Sequence, residues 1–212
     1  MKHNFKLYLL FIIGILSVFQ THGQDLPRAL RFGVSYGMGT QQIFPYNNSD
    51  YHYNVHGYKV LINYQLKKSG KFSYELQIEP GIYFARHKLL NEFFVQPDRG
   101  ANYLELRDIF TKEKTITEYA LNAGILVRYS IGKNLSIFAL GSIGPMISDT
   151  ETERLARGFA FSDIFAFGMA YKVGKIMFEI RPGLRHVSNL NTQYPNSGHN
   201  SSNIDFGISV AL

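Results

Sequence analysis

The chain has 212 residues, with 22 Lys and Arg against 16 Asp and Glu. The formal charge of +6 is spread without a basic cluster, which argues against a nucleic-acid partner. Cysteine is absent, which excludes disulfides, thiolate metal sites and a lipid-modified N-terminal cysteine. Phe (17) and Tyr (14) are plentiful and only 18% of residues are charged, which suits a surface that faces lipid between aromatic girdles.

Lys2 and Lys6 precede an apolar run from Leu7 to Phe19, and small and polar residues follow through Gly23 and Gln24. This is the pattern of an export signal over residues 1–23, with the mature chain starting near Gln24 and its charge reduced to +4. The run is shorter than the roughly 20 residues a transmembrane helix needs. No later segment is continuously apolar, so any membrane insertion must use strands. Residues 24–212 carry no Pro- or Gly-rich linker and read as one domain.

Period-two alternation dominates, and no ten-residue stretch has a convincing helical period, so the chain reads as all-β. The first strand places Leu30, Phe32, Val34, Tyr36 and Met38 on one face, and the second Tyr58, Val60, Ile62, Tyr64 and Leu66. The third carries Phe72, Tyr74, Leu76, Ile78, Ile82 and Phe84, with a bulge or kink expected at Pro80–Gly81. The fourth runs from Tyr119 to Ile131 in strict alternation. The fifth (Leu135 to Ile143) and sixth (about Phe161 to Tyr171) alternate less cleanly. The seventh carries Ile176, Phe178, Ile180, Pro182 and Leu184, and the eighth Ile204, Phe206, Ile208, Val210 and Leu212.

The opposite faces hold Asn63, Gln65, Glu75, Glu79, Glu118, Asn122, Arg128, Glu179, Arg181, Arg185, Asp205 and Ser209. A lipocalin-like carrier has an apolar interior, and a soluble sandwich would expose these residues to water. An apolar face repeated on every strand, backed by a polar one that can pair with itself, predicts an eight-stranded antiparallel transmembrane up-and-down β-barrel with a polar interior. Connections alternate between short (67–71, 132–134, 173–175) and long (39–57, 87–117, 145–158, 189–203). Such barrels keep short turns in the periplasm and long loops outside, so the seventh strand runs outward.

Beyond Leu184, the lipid-facing parity of that strand reaches His186 and Ser188. Residues two apart on a strand share a face, so an imidazole and a hydroxyl are placed side by side, as a serine nucleophile and its base require. The apolar stretch Ile176 to Leu184 is long enough to cross the hydrocarbon, which puts the pair at the outer-leaflet interface. Read blandly, they are ordinary rim residues. The Asp50, His52 and His56 region and His199 lack metal-site spacing and read as solvated loop residues; Tyr51, Tyr53 and Tyr58 read as an interface girdle.

His186-Val187-Ser188-Asn189, followed by Pro195-Asn196-Ser197-Gly198, closely resembles the signature hairpin of the lipid A 3-O-deacylase (PagL-type acyloxyacyl hydrolase) family. The specific match spans His186 to Asn200, in the last two strands of a chain of matching size. The resemblance implies an outer-membrane esterase acting on lipid A of the outer leaflet, with no metal or organic cofactor. It implies Ser188 as nucleophile, His186 as its base, and Asn189 and Asn196 as candidates for positioning or oxyanion stabilisation. The family's acid, fourteen positions after the histidine, is here Asn200, which should face outward beside His186. An amide carbonyl can hold the imidazole tautomer but lacks the carboxylate charge. A neighbouring acid acting instead, slower catalysis or a degenerate enzyme remain open; Glu179 points inward and lies too far down the strand. A non-catalytic barrel with binding or anchoring loops is the rival reading, and homodimerisation is left open.

Overall fold

The computed structural model describes residues 30–212, so the export segment expected over 1–23 lies outside the described residues. Eight antiparallel strands close a barrel, each paired with the next and the last with the first. They are β1 (Leu30–Thr40), β2 (Tyr51–Ser69), β3 (Phe72–Leu89), β4 (Lys114–Ser130), β5 (Leu135–Ser148), β6 (Gly158–Val173), β7 (Ile176–Ser188) and β8 (His199–Ala211). Closure pairs Phe32 with Val210 and Tyr36 with Phe206, which leaves no unpaired sheet edge in the hydrocarbon.

The side chains alternate as the sequence predicts. Phe32, Val34, Tyr36, Phe165, Phe167, Met169, Phe178, Phe206 and Ile208 lie exposed on the outer wall, where lipid rather than water is their solvent. Inside the lower barrel, Arg128 meets Glu75 at 2.9 Å and Glu179 at 3.0 Å. One layer up, Arg181 meets Glu79 at 2.7 Å and Asp205 at 3.2 Å, and Lys59 meets Asp205 at 2.8 Å. Gly37 leaves the room that Asp205 needs, since a Cβ there would fall 1.8 Å from Asp205 Oδ1. Above these, Arg185 donates to Glu118 at 2.7 Å and to Ser162 Oγ at 2.9 Å, and its guanidinium lies 4.0 Å from the Tyr83 ring centre. Each of the buried charges in these three layers therefore has an opposite partner, the condition under which burial of ions is tolerated.

The extracellular third departs from the sequence reading. Strands β2, β3, β4, β5, β6 and β8 extend beyond the runs read from the sequence, β5 to Ser148 rather than Ile143, so the long connections shrink to 41–50, 90–113, 149–157 and 189–198. Tyr51 and Tyr53 are not girdle residues: they point inward, each 1% exposed, in a core with Val55, Tyr83, Ile116, Met146, Leu155 and Val187. Tyr58 does stand on the outer wall. His199 is likewise not a solvated loop residue; it is buried, its ring 4.8 Å from Tyr53 and 5.0 Å from His87, with Nε2 3.0 Å from Thr152 Oγ1. His52 and His56 lie on the outer face of β2.

The second loop contains the short helix α1 (Tyr103–Phe110), whose Phe110 packs with Leu89 and Val95. The bulge expected at Pro80–Gly81 is absent: both keep register with β4, opposite Leu121 and Ala120. The irregularity lies instead in β2, between Gln65 and Lys67.

Candidate active site

Strand β7 carries its outward row from Ile176 through Phe178, Ile180, Pro182 and Leu184 to His186 and Ser188, where it ends. The β7–β8 register sets Leu184 opposite Ser202 and His186 opposite Asn200. His186 Nδ1 lies 2.7 Å from Asn200 Oδ1. An amide oxygen only accepts, so this bond places the proton on Nδ1 and leaves Nε2 with its lone pair, the tautomer a base needs. Ser188, 7% exposed, follows on the same parity, opposite Phe161 of β6. No hydrogen bond joins its hydroxyl to the ring in this structure, which without substrate is no bar to a catalytic pair.

The loop after Ser188 is held by its own amides. The Asn189 backbone N–H donates to Asn196 Oδ1 at 2.6 Å, while Asn189 Nδ2 donates to the carbonyls of Gln193 (2.9 Å) and Pro195 (3.1 Å). Asn196 Nδ2 donates to Asn191 Oδ1 at 3.0 Å. Leu190 and Asn191 take left-handed φ of 53° and 59°, folding the chain back over Asn189. Gly198, at φ 68°, passes so close behind the site that a Cβ would lie 2.3 Å from the Val187 carbonyl and 3.3 Å from His186 Cε1.

The third loop clasps this hairpin. Gly198 N–H donates to the Arg154 carbonyl at 2.9 Å, and Arg154 Nε donates back to the Gly198 carbonyl at 2.8 Å. Arg99 of the second loop donates to the Glu153 carbonyl and lies 4.6 Å from the Tyr194 ring centre. The loop that follows Ser188 is thus tied to two others.

Below His186, on the lipid side, an apolar groove is lined by Phe165, Phe167, Pro182, Leu184, Ile43 and Phe44. The first loop folds down to form one wall, anchored by Ser202 Oγ donating to the Phe44 carbonyl at 2.8 Å. Ile43 and Phe44 are exposed at its tip.

The structure brings His186, Ser188 and Asn200 together, and sets Asn189 and Asn196 in the adjoining loop. It also places there a residue the sequence reading passed over: Asp163 of β6 pairs with His186 in the β6–β7 register. Its signal was present in the sequence, as the one acid on the outward parity between Phe161 and Phe165. Glu179 is engaged with Arg128 inside the barrel, away from the site. Among the described residues no three His, Cys, Asp or Glu side chains are grouped to hold a metal ion.

Residues 100–209, just over half of the chain, match the model of the family described as lipid A 3-O-deacylase (PagL). Among solved structures, the barrel resembles that of the outer membrane enzyme PagL, with a TM-score of 0.54 at 14% identity, over 82% of this chain and 97% of that one. It also resembles Neisserial surface protein A, with a TM-score of 0.50 at 8% identity, over 86% of this chain and 97% of that one. No curated protein matches the sequence. With its eight-stranded barrel and its place in the bacterial outer membrane, the chain belongs to the lipid A 3-O-deacylase (PagL) family.

Proposed function

We propose that this protein is a serine esterase that hydrolyses an ester-linked acyl chain of lipid A from the outer leaflet. The observation that carries the reading is the 2.7 Å bond between His186 Nδ1 and Asn200 Oδ1, on the lipid-facing wall two residues before Ser188. In this mechanism Ser188 Oγ attacks the acyl carbonyl as its proton passes to His186 Nε2. The imidazolium then protonates the departing sugar hydroxyl as the ester C–O bond breaks. Water, deprotonated by the same imidazole, cleaves the acyl-serine, releasing the fatty acid and restoring the serine hydroxyl. Asn200 holds the tautomer throughout. Asn189 and Asn196 act as positioning residues, because their side-chain N–H groups already donate within the loop that follows Ser188.

The placement supports a lipid substrate. The site opens toward the outer leaflet, and the groove below it offers an apolar bed for an acyl chain that need not leave the membrane. Substitution of an amide for the family's acid favours one rival, a non-catalytic barrel that binds or anchors through its loops. Mass spectrometry of lipid A from cells expressing the wild type or Ser188→Ala separates the two. Loss of one acyl chain with the wild type alone is expected, and identical lipid A from both strains would overturn the esterase reading.

A further inference from the structure

On the outer wall of β2 the apolar row Leu66, Tyr64, Ile62, Val60 and Tyr58 gives way to His56, Asn54 and His52. On β3 the outward row from Phe72 stays apolar as far as Phe84, and Arg86 and Lys88 follow on the same parity, both exposed. The register aligns the two changes: His56 faces Phe84, Asn54 faces Arg86 and His52 faces Lys88. The His56 and Phe84 rings, with centres 5.6 Å apart, therefore mark the rim of the hydrocarbon on this side. A tilted strand climbs about 2.5 Å per residue, so Arg86 stands about 5 Å above Phe84. The head-group layer is about 5–8 Å thick, and Arg86 lies within it.

Among the described residues neither Arg86 nor Lys88 forms a salt bridge or a side-chain hydrogen bond, whereas Arg99, Arg107, Lys114 and Arg154 each donate to a backbone carbonyl. The two line one pocket with Gln42, His52, Asn54 and Glu113, where two permanent cations meet a single acid. Below it, Tyr36, Tyr58, Val60, Pro80 and Ile82 of β1, β2 and β3 line an apolar trough. Cations in the head-group layer above an apolar bed match a phosphorylated lipid, its phosphate on the guanidinium and ammonium and its acyl chains along the wall. From this arrangement we infer that Arg86 and Lys88 form a second lipid-binding site, which holds a phosphate of a lipid A molecule packed against β2 and β3. The inference stands on the barrel's place in the outer membrane and uses no step of the reaction. Strand β3 lies half-way round the ring from β7, four strands in either direction, so this lipid is not the one whose ester meets Ser188.

The test measures lipids bound to full-length barrels in detergent micelles by native mass spectrometry. Wild type, Arg86→Gln/Lys88→Gln and, as a charge-matched control at a periplasmic turn, Lys67→Gln/Lys68→Gln are titrated with lipid A and with lipid A stripped of its phosphates. Deacylation removes an acyl chain and no phosphate, so turnover changes the mass of the adduct and leaves its anchor in place. A Lys or Arg at an anionic lipid surface is worth about fivefold in binding, so the wild type should prefer the phosphorylated lipid by about 20-fold. The Arg86→Gln/Lys88→Gln barrel should lose most of that preference and the control should keep it. Folding is checked by the mobility of unheated samples on a gel, and Arg86→Thr/Lys88→Thr serves if the glutamine variant does not fold. Equal affinity of the wild type for the two lipids, or a preference that survives both substitutions, would overturn the site. An equal loss in the control would reduce the effect to net charge and overturn it as well. Displacement of lipid A by an equal concentration of inorganic phosphate would make this a site for free anions, which also overturns the assignment to lipid.

Discussion

His186 and Asn200 face each other across the β7–β8 ladder with Nδ1 and Oδ1 2.7 Å apart, so an amide occupies the place for which the family resemblance implies an acid. Replacing it with leucine removes the acceptor and leaves the Nδ1 proton unpaired. A hydrogen bond to a group that becomes charged is worth about 1.5–3 kcal/mol, so Asn200→Leu should lower the deacylation rate by about 10- to 100-fold. Asn200→Glu should preserve or raise it. Steady-state rates on purified lipid A decide, and no change in either variant would remove Asn200 from the site.

Ser188→Ala and His186→Ala should each reduce deacylation by at least about 10³-fold, and the double variant scarcely further, the outcome expected of a nucleophile and base that act as one unit. Neither should unfold the barrel, since both stand at the end of β7 beyond the apolar run. Rates from the single and double variants, with gel mobility as the folding check, test this.

The barrel was readable from the sequence because lipid outside and ion pairs inside impose opposite polarities on alternate residues. Arg181 and Glu79, for example, could be placed inside before their 2.7 Å contact was seen. The same rule explains the errors. Above the membrane the outer wall meets water and the inner space is filled by Tyr51, Tyr53 and Val55, so polarity inverts on β2 and His52, Asn54 and His56 turn outward. A reading that equates apolar with outward takes this stretch for loop. The His186–Asn200 pairing was readable because a hairpin joins the two strands. The pairing of His186 with Asp163 was not, because register between β6 and β7 is set along the whole ladder and alternation on β6 is blurred by alanine and glycine on its inward face.

Gly198→Ala should impair catalysis more than stability. Its φ of 68° disfavours any side chain, and the added Cβ would strike the Val187 carbonyl at 2.3 Å. The collision pushes the hairpin away from the end of β7 and disturbs the bonds between Gly198 and Arg154. Displacements of about 1 Å at such sites lower rates about 100-fold. A drop of this size in a barrel of unchanged gel mobility is the expected result, and wild-type activity would show that the loop tolerates the shift.

Arg185 and Glu118 form a buried pair at 2.7 Å, both nearly inaccessible to solvent. Removing one partner strands the other, which costs about 3–5 kcal/mol, whereas exchange of both for apolar residues of similar volume is far milder. Urea unfolding of Glu118→Ala and Arg185→Ala in lipid vesicles should show that loss in each, with Arg185→Met/Glu118→Leu closer to wild type. Equal destabilisation of all three would mean that the remaining contacts, to Ser162 and Tyr53, carry the layer instead.

Phe44 offers a test of the groove that is separate from the chemistry. Its side chain is 89% exposed at the tip of a loop folded against the lipid-facing wall, where Phe165, Phe167 and Leu184 complete the groove. An acyl chain lying there would bury methylenes against the phenyl ring, each fully buried methylene being worth about 0.8 kcal/mol. Phe44→Ala should therefore lower kcat/KM for long-chain esters by about fivefold, the effect of about 1 kcal/mol, and leave short-chain esters nearly unchanged. Ser202→Ala removes the hydroxyl that holds the Phe44 carbonyl and should move selectivity in the same direction by a smaller amount. Competition between esters of different chain length in one reaction gives the ratio directly. A uniform fall across all chain lengths would mean that the first loop supports the fold of the site rather than forming a wall for the chain.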